Sequence, residues 1–172
     1  EKTLGEKFSS SENFVDLENP HSVIKVYILN EKIILGEITE DINRGLFENR
    51  KNQKRPFSSP VSLDPALARV LTNLSGIKPG DFLLDPFCGT GGILIEAGLC
   101  GVGACGVDVK EEMVKGCKEN LEEYGIISHD IRQGKASESI KMFEKNFSAI
   151  LTDLPYGQAS KKTDSAVEDF LE

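Results

Sequence analysis

From Phe82 onward the sequence alternates between short apolar runs typical of strands and longer segments with helical periodicity. Parallel strands need a crossover between them, and a helix is the usual crossover. The alternation therefore predicts an α/β fold with a doubly wound parallel sheet that is covered by helices on both faces. The predicted strands are 82–85, 104–109, 130–133 and 148–153, and the predicted helices are 93–99, 112–124, a weaker helix before the last strand and a final stretch that ends at Leu171.

Two further elements are predicted upstream of this alternation. Residues 23–29 and 32–39 are rich in β-branched and apolar side chains and are separated by Asn30-Glu31, which predicts a β-hairpin. Asp64 is a suitable N-cap and Pro65 a suitable first helical residue, so a helix is expected from there to Gly76. Its apolar residues recur at helical spacing and predict the face that packs on the core: Leu67, Val70, Leu71 and Leu74.

These elements suggest a boundary near residue 55. We expect residues 1–54 to form a lead-in with the hairpin, and residues 55–172 to form one core domain. The last predicted strand would stand at an edge of the sheet, where its unpaired backbone groups are open to further pairing. We therefore expect the C-terminal strands of a complete sheet to be missing from this chain.

The net charge of the chain is −8, which limits its contacts with nucleic acid to local ones. No apolar run approaches the roughly 20 residues that a membrane-spanning helix needs, and no signal peptide is found. The sequence thus predicts a cytoplasmic protein with no membrane partner. Five basic residues against one acid lie between Asn43 and Phe57, and they fit either a solvated linker or a phosphate-contacting patch: Arg44, Arg50, Lys51, Lys54 and Arg55.

The four cysteines do not follow the paired spacing of a zinc site. They are Cys88, Cys100, Cys105 and Cys117. We expect reduced, mostly packed thiols and no bound metal.

The first chemical motif, Asp-Pro-Phe-Cys-Gly-Thr-Gly-Gly at 85–92, lies where a buried strand turns into a helix. Open α/β sheets bind ligands in the crevice at such strand ends. Gly89 and Gly91 lack a Cβ and can admit an adenosyl group or a methionine tail, and the free amides of the next helix favour a carboxylate. Asp85 is placed to meet a cationic amino group, which suits a methionine better than a pyrophosphate. A nicotinamide or flavin site fits less well, because the third glycine of G-x-G-x-x-G is missing.

Asp108 ends the next predicted strand, about 20 residues beyond the glycines. An acid at this place commonly accepts hydrogen bonds from both hydroxyls of a ribose. The alternative is an ordinary surface acid in a turn.

The second motif, Asp153-Leu154-Pro155-Tyr156, follows the last predicted strand and so emerges at the same edge. An exocyclic amino nitrogen attacks a sulfonium methyl poorly because its lone pair is delocalised into the ring. The Asp153 carboxylate and the Leu154 carbonyl could accept the two amino hydrogens, Pro155 would fix the turn, and Tyr156 offers a ring on which an extruded base stacks. The alternative for this motif alone is a turn with no chemistry.

Together these motifs resemble the class I S-adenosylmethionine-dependent amino-methyltransferases with an N/D-P-P-Y/F motif, which have a Rossmann-like fold. Within that class, Arg55-Pro56-Phe57 and segments 63–74, 85–97 and 153–157 resemble the archaeal and eukaryotic tRNA (guanine-10-N2)-methyltransferases. The resemblance implies S-adenosylmethionine as cofactor, tRNA as substrate, and residues 55–60 at the border of the cofactor crevice. It implies these roles: Asp85, Gly89 and Gly91 around the methionine moiety, Asp108 at the ribose, and Asp153, Leu154 and Tyr156 at the target base. Phe87 is expected among the cofactor-binding residues, and Pro155 among the catalytic ones.

The chain departs from this family at three points. Leu154 replaces a proline of the motif, and Lys135 stands where an acid usually contacts the adenine amino group. The RNA-binding THUMP domain of the family is not found, so we expect weak tRNA binding by these residues alone. Eukaryotic members use a small partner protein, which leaves an activating subunit open here. The other functions considered are DNA or rRNA amino-methylation, and a non-catalytic S-adenosylmethionine-binding module of a larger complex.

Overall fold

A computed structural model of the chain describes residues 15–16, 18–60 and 62–154. The chain divides into two compact units between Asn43 and Arg44. The predicted final helix and the residues Pro155 and Tyr156 lie outside the described ranges. Within those ranges, no helix has both the length and the apolar character needed to cross a membrane.

The first unit contains the predicted hairpin, which is confirmed. Strands β1 (Val23–Leu29) and β2 (Lys32–Ile38) pair in antiparallel register, with Leu29 opposite Lys32. Asn30 takes a positive φ of 49° in the two-residue turn, a conformation that asparagine adopts more readily than most residues.

The described residues of the second unit form a parallel sheet of four strands in the order β5-β4-β3-β6. Its strands are β3 (Phe82–Asp85), β4 (Gly103–Asp108), β5 (His129–Gln133) and β6 (Ala149–Ile150). Its helices are α1 (Gly45–Glu48), α2 (Pro65–Leu74), α3 (Gly92–Gly98), α4 (Glu111–Glu123) and α5 (Ser139–Met142), with single 3₁₀ turns at Asn52–Lys54 and Ala136–Glu138. The predicted α/β class is confirmed, and β6 lies at an edge of the sheet that the described residues form, as expected.

The core follows from the burial of β3, β4 and α3. Leu83, Leu84, Leu94 and Ile95 are fully buried, as expected for a parallel sheet whose central strands are covered on both faces. Strand β6 is shorter than predicted, since only Ala149 and Ile150 form ladder residues.

Helix α2 is confirmed, but three of the four apolar residues expected to face the core are exposed, and the fourth, Leu71, is half-buried. Asp64 caps the helix, because its Oδ1 accepts the N–H groups of Ala66 at 2.9 Å and Leu67 at 3.4 Å. Ala68 and Thr72 face the core, and the predicted core residues Leu67, Val70 and Leu74 are 48%, 49% and 78% exposed. Small residues let α2 lie close to α3, so the stripe with Ala68 and Thr72 packs inward and the larger aliphatic side chains point outward.

Candidate active site

Asp85 is the last residue of β3, and its side chain is buried at the carboxyl edge of the sheet, with 2% exposure. The Phe87 N–H donates to its Oδ1 at 3.1 Å. Burial raises the pKa of this carboxyl to about 7, and the charges of Asp108 and Asp153 add to that rise. The Phe87 N–H and the nearby Thr152 hydroxyl favour the carboxylate and work against the rise. Asp85 is therefore poised between its acid and carboxylate forms near neutral pH.

The loop after Asp85 contains two glycines with positive φ and different surroundings. Gly91 has φ 82° and caps α3, and a Cβ added there would lie 2.7 Å from Cys117 Sγ. Gly89 has φ 49°, and an added Cβ would meet no atom within 4 Å. Gly91 is thus required by packing, whereas the open space at Gly89 fits a ligand that lies against the main chain.

Asp108 ends β4 and is joined to this loop by its carboxylate. Gly89 N–H donates to Oδ2 at 3.1 Å, and Lys110 N–H donates to Oδ1 at 2.8 Å. The Cys88 N–H also donates to the Val107 carbonyl at 3.0 Å, so the loop is fastened to the end of β4 at two points. Each carboxylate oxygen keeps a further lone pair, so Asp108 is held in place and can still accept hydrogen bonds from a diol.

Asp153 and Leu154 follow β6 at the same edge. The Leu151 N–H donates to the Leu84 carbonyl at 3.0 Å, which aligns the ends of β3 and β6. Asp153 is half-buried, and its charge acts on the Asp85 carboxyl. Leu154 is 40% exposed. The structure therefore brings together Asp85, Phe87, Gly89, Gly91, Asp108, Asp153 and Leu154 at one edge, as the motifs predicted, and leaves their roles as predictions.

Asn120 on α4 connects the segment around Phe57 to the glycine loop. Its fully buried Nδ2 donates to the carbonyls of Phe57 and Thr90, both at 2.9 Å, and its Oδ1 accepts the Phe57 N–H at 2.9 Å. The Phe57 ring also packs on Gly116, where an added Cβ would lie 2.0 Å from Cδ1 of the ring. Sequence reasoning missed Asn120, although an amide next to Leu121 on the buried side of a helix is a usable signal.

Two of the five basic residues between Asn43 and Phe57 point into the domain, which neither interpretation of that segment predicted. Arg50 Nε lies 2.6 Å from Oε1 of Glu96, and Arg69 lies 3.0 Å from Oε2. The Glu96 side chain is fully buried on α3, so two arginines neutralise one buried carboxylate. Arg55 is 5% exposed and donates to the Arg50 carbonyl at 2.9 Å. These residues fasten the segment to α2 and α3 and are not available to phosphate.

Cys88, Cys105 and Cys117 are buried free thiols and Cys100 is partly buried, as predicted. Among the described residues, no three His, Cys, Asp or Glu side chains form a group that could hold a metal ion. Lys135 is exposed at the start of the 3₁₀ turn that follows β5.

The sequence matches the model of the UPF0020 family, the RMKL-like methyltransferase domain, over residues 52–171. The chain belongs to this family. The match to this RMKL-like domain includes both motifs. Residue 61 and residues 155–171 of the match lie outside the described ranges.

Two curated relatives carry more specific names. The tRNA (guanine(10)-N2)-dimethyltransferase of Methanothermobacter thermautotrophicus is 42% identical over all of this chain and 52% of its own length. The enzyme of the same name from Pyrococcus abyssi is 41% identical over 93% of this chain and 48% of its own length. The chain therefore spans about half the length of these relatives.

Among solved structures, TrmN from Thermus thermophilus superposes with a TM-score of 0.59. It covers 99% of this chain and 49% of its own, at 24% identity. At that identity the likeness shows the fold, which is the class I methyltransferase fold that the resemblance implied.

Proposed function

We propose that this RMKL-like domain transfers the methyl group of S-adenosylmethionine to the exocyclic N2 amino group of a guanine in tRNA, in the cytoplasm. The observation that carries the proposal is the meeting of two motifs at one sheet edge. Asp85 and its glycine loop follow β3, and Asp153-Leu154 follow the neighbouring strand β6. The names of the two archaeal relatives support tRNA guanine as the substrate.

The loop residues would hold the methyl donor. S-adenosylmethionine supplies a methyl group on a sulfonium, which a neutral amine can attack directly. Asp85 offers a buried carboxylate to the ammonium group of the methionine moiety, and the open space at Gly89 admits that moiety beside the main chain. Asp108 would accept hydrogen bonds from the ribose hydroxyls, and Phe87 would line the same crevice. Gly91 serves this site through the shape of the loop, because its own Cβ direction is filled by Cys117.

The residues after β6 would prepare the target amino group. The Asp153 carboxylate and the Leu154 main-chain carbonyl would accept hydrogen bonds from its two N–H groups. These bonds would turn the nitrogen lone pair out of the ring plane and toward the methyl donor. Pro155 would hold the turn, and Tyr156 would stack on the extruded base. The N–CH₃ bond would form as the S–CH₃ bond breaks, S-adenosylhomocysteine would leave, and the nitrogen would then lose its surplus proton to solvent. Because no proton has to be removed before attack, the contribution of the protein is positioning and local electrostatics.

We propose that this domain alone binds tRNA weakly. The net charge is −8, and Arg50 and Arg55 are used inside the domain. Arg44 and Lys54 stay exposed and are the phosphate contacts that remain from the basic segment. An activating subunit would compensate for this weak binding, and we expect methylation to rise in its presence if the protein uses one.

The test is methylation of unmodified tRNA with isotopically labelled S-adenosylmethionine, followed by mass analysis of the nucleosides. We expect N2-methylguanosine, a loss of at least about 100-fold in rate for Asp153→Ala, and little change for the exposed acid Glu122→Ala as a matched control. Methylation of adenine instead of guanine would show that the proposed substrate is wrong. Methylation of DNA or rRNA while tRNA stays unmethylated would show the same. Cofactor binding without any methylated product would point to the non-catalytic module.

A further inference from the structure

Thr152 carries a buried hydroxyl that the functions above do not use. It stands between Leu151, which is bonded to β3, and Asp153. Its Oγ1 is inaccessible to solvent and has no hydrogen-bond partner among the described residues. A buried hydroxyl without a partner is unfavourable and rare, so its place needs a reason.

The buried Asp85 carboxyl gives this hydroxyl a reason for its place. Leu84 pairs with Ile150 and accepts the Leu151 N–H, so Thr152 lies beside the end of β3, where the Asp85 carboxyl is buried. The hydroxyl is close enough to lower the pKa of Asp85, although the two groups lack the geometry of a formed hydrogen bond.

The other groups that face Asp85 divide into two kinds. The Phe87 N–H donates to Oδ1 at 3.1 Å and favours the carboxylate. The carboxylates of Asp108, after β4, and Asp153, after β6, oppose ionisation by their charge, and burial opposes it most. The Thr152 hydroxyl is therefore the one side-chain donor, among the described residues that act on Asp85, that favours its ionised form.

We propose that Thr152 is a positioning residue whose hydroxyl donates to Asp85 and holds that carboxylate ionised and oriented toward the ammonium group of the methyl donor. The inference rests on the proposed function for the identity of that ligand. The ionised Asp85 carboxylate attracts an ammonium group. This attraction is lost when the carboxyl takes up a proton. Thr152 directly precedes Asp153. The residue that orients Asp85 therefore lies at the same strand end as the residues proposed to contact the target base.

The inference predicts a pH signature. The pKa of Asp85 is about 7, so wild-type affinity for S-adenosylhomocysteine should fall as the pH drops below 7. Loss of one hydrogen bond to a carboxylate should raise that pKa by about one unit, which is about tenfold in affinity at low pH. The difference between variant and wild type should vanish near pH 9, where Asp85 is ionised in both.

The experiment uses the full chain and three variants: Thr152→Val and Thr152→Ala, which lack the hydroxyl, and Thr152→Ser, which keeps it. Titration of the Asp85 carboxyl by ¹³C NMR, assigned with Asp85→Asn, measures the pKa without any ligand. Calorimetry with S-adenosylhomocysteine from pH 6 to pH 9 measures the affinity. We expect Thr152→Val and Thr152→Ala to raise the pKa of Asp85 and to weaken binding about tenfold at pH 6 but not at pH 9. Thr152→Ser should follow the wild type.

The outcomes separate the inference from the proposed function. An Asp85 pKa that is unchanged in Thr152→Val and Thr152→Ala overturns the inference. A loss of affinity that is equal at every pH also overturns it, because that result would mean a packing role. Wild-type protein that binds no S-adenosylhomocysteine overturns the cofactor assignment, and the NMR titration still decides whether Thr152 acts on Asp85.

Discussion

Replacing both arginines that neutralise Glu96 should destabilise the domain more than removing the charge of Glu96 itself. The Glu96 side chain is 0% exposed, whereas the side chains of Arg50 and Arg69 are 12% and 24% exposed. Arg50 contacts both carboxylate oxygens, at 2.6 Å and 3.2 Å. If both arginines are replaced, the Glu96 carboxylate stays buried without a partner and without access to water. If the charge of Glu96 is removed, the two guanidinium groups can turn toward solvent.

The expected magnitudes follow from this asymmetry. The double variant Arg50→Met/Arg69→Met leaves the carboxylate buried without a partner, at a cost of about 3–5 kcal/mol in the free energy of unfolding. Glu96→Gln keeps the shape and loses the charge, and the arginines relax toward solvent, at about 1–2 kcal/mol. The triple variant with Glu96→Met added makes the site apolar and should recover at least about 2 kcal/mol of the loss in the double variant.

Urea unfolding at pH 7 measures these differences by linear extrapolation. The chain contains no tryptophan, so far-ultraviolet circular dichroism is the suitable signal. Equal slopes in urea are required before the free energies are compared. The reasoning is refuted if Glu96→Gln costs as much as the double arginine variant, or if the triple variant is no more stable than the double.

Two further predictions concern Asp85 and the glycine loop that follows it. The folded pKa of Asp85, about 7, lies above the ordinary value of 3.8, so the folded state holds a proton that the unfolded state releases. Wild-type stability should therefore fall as the pH rises from 4 to 7. At pH 8, Asp85→Asn should be more stable than wild type by about 2–4 kcal/mol, and it should bind S-adenosylhomocysteine poorly. Equal stability of the two proteins at pH 8 would contradict the burial argument. Gly91→Ala should lose about 2–3 kcal/mol in urea unfolding, because it meets Cys117 as well as positive φ, and Gly89→Ala only about 1 kcal/mol, because its Cβ enters open space. Equal losses for the two glycines would show that the contact with Cys117 relaxes at little cost.

The parts of the fold that depend on order along the chain were predictable. Alternating strands and helices force parallel pairing, and the carboxyl ends of parallel strands meet at one edge, so Asp85, Asp108 and Asp153 could be placed together before any coordinates. The family resemblance is confirmed by the match to the RMKL-like domain. Strand bounds shifted by no more than one residue in β3, β4 and β5 and by up to three in β6, because ladder pairing decides them and the residue type does not.

The parts that depend on which surfaces touch were not predictable from periodicity. The apolar stripe of α2 suggested Leu67 and Leu74 as core residues, but close approach to α3 selects the small side chains of Ala68 and Thr72. Arg50 looked like a surface charge, because its partner Glu96 is distant in sequence and looked like the polar residue of an otherwise apolar helix. Pairings between distant residues carry no local pattern, so single-sequence reasoning cannot find them.

The shortness of β6 has a consequence for the order in which the edge assembles. Strands β3, β4 and β5 pair with neighbours that follow directly along the chain, whereas β6 must return across β4 and β5 to reach β3. Closing that long loop is repaid by only two ladder residues, so β6 should dock last and detach first. Amide hydrogen exchange should then be faster at Leu151 than at Cys105 in β4. Brief openings of this kind would release Asp153 while Asp108 and the glycine loop stay in place.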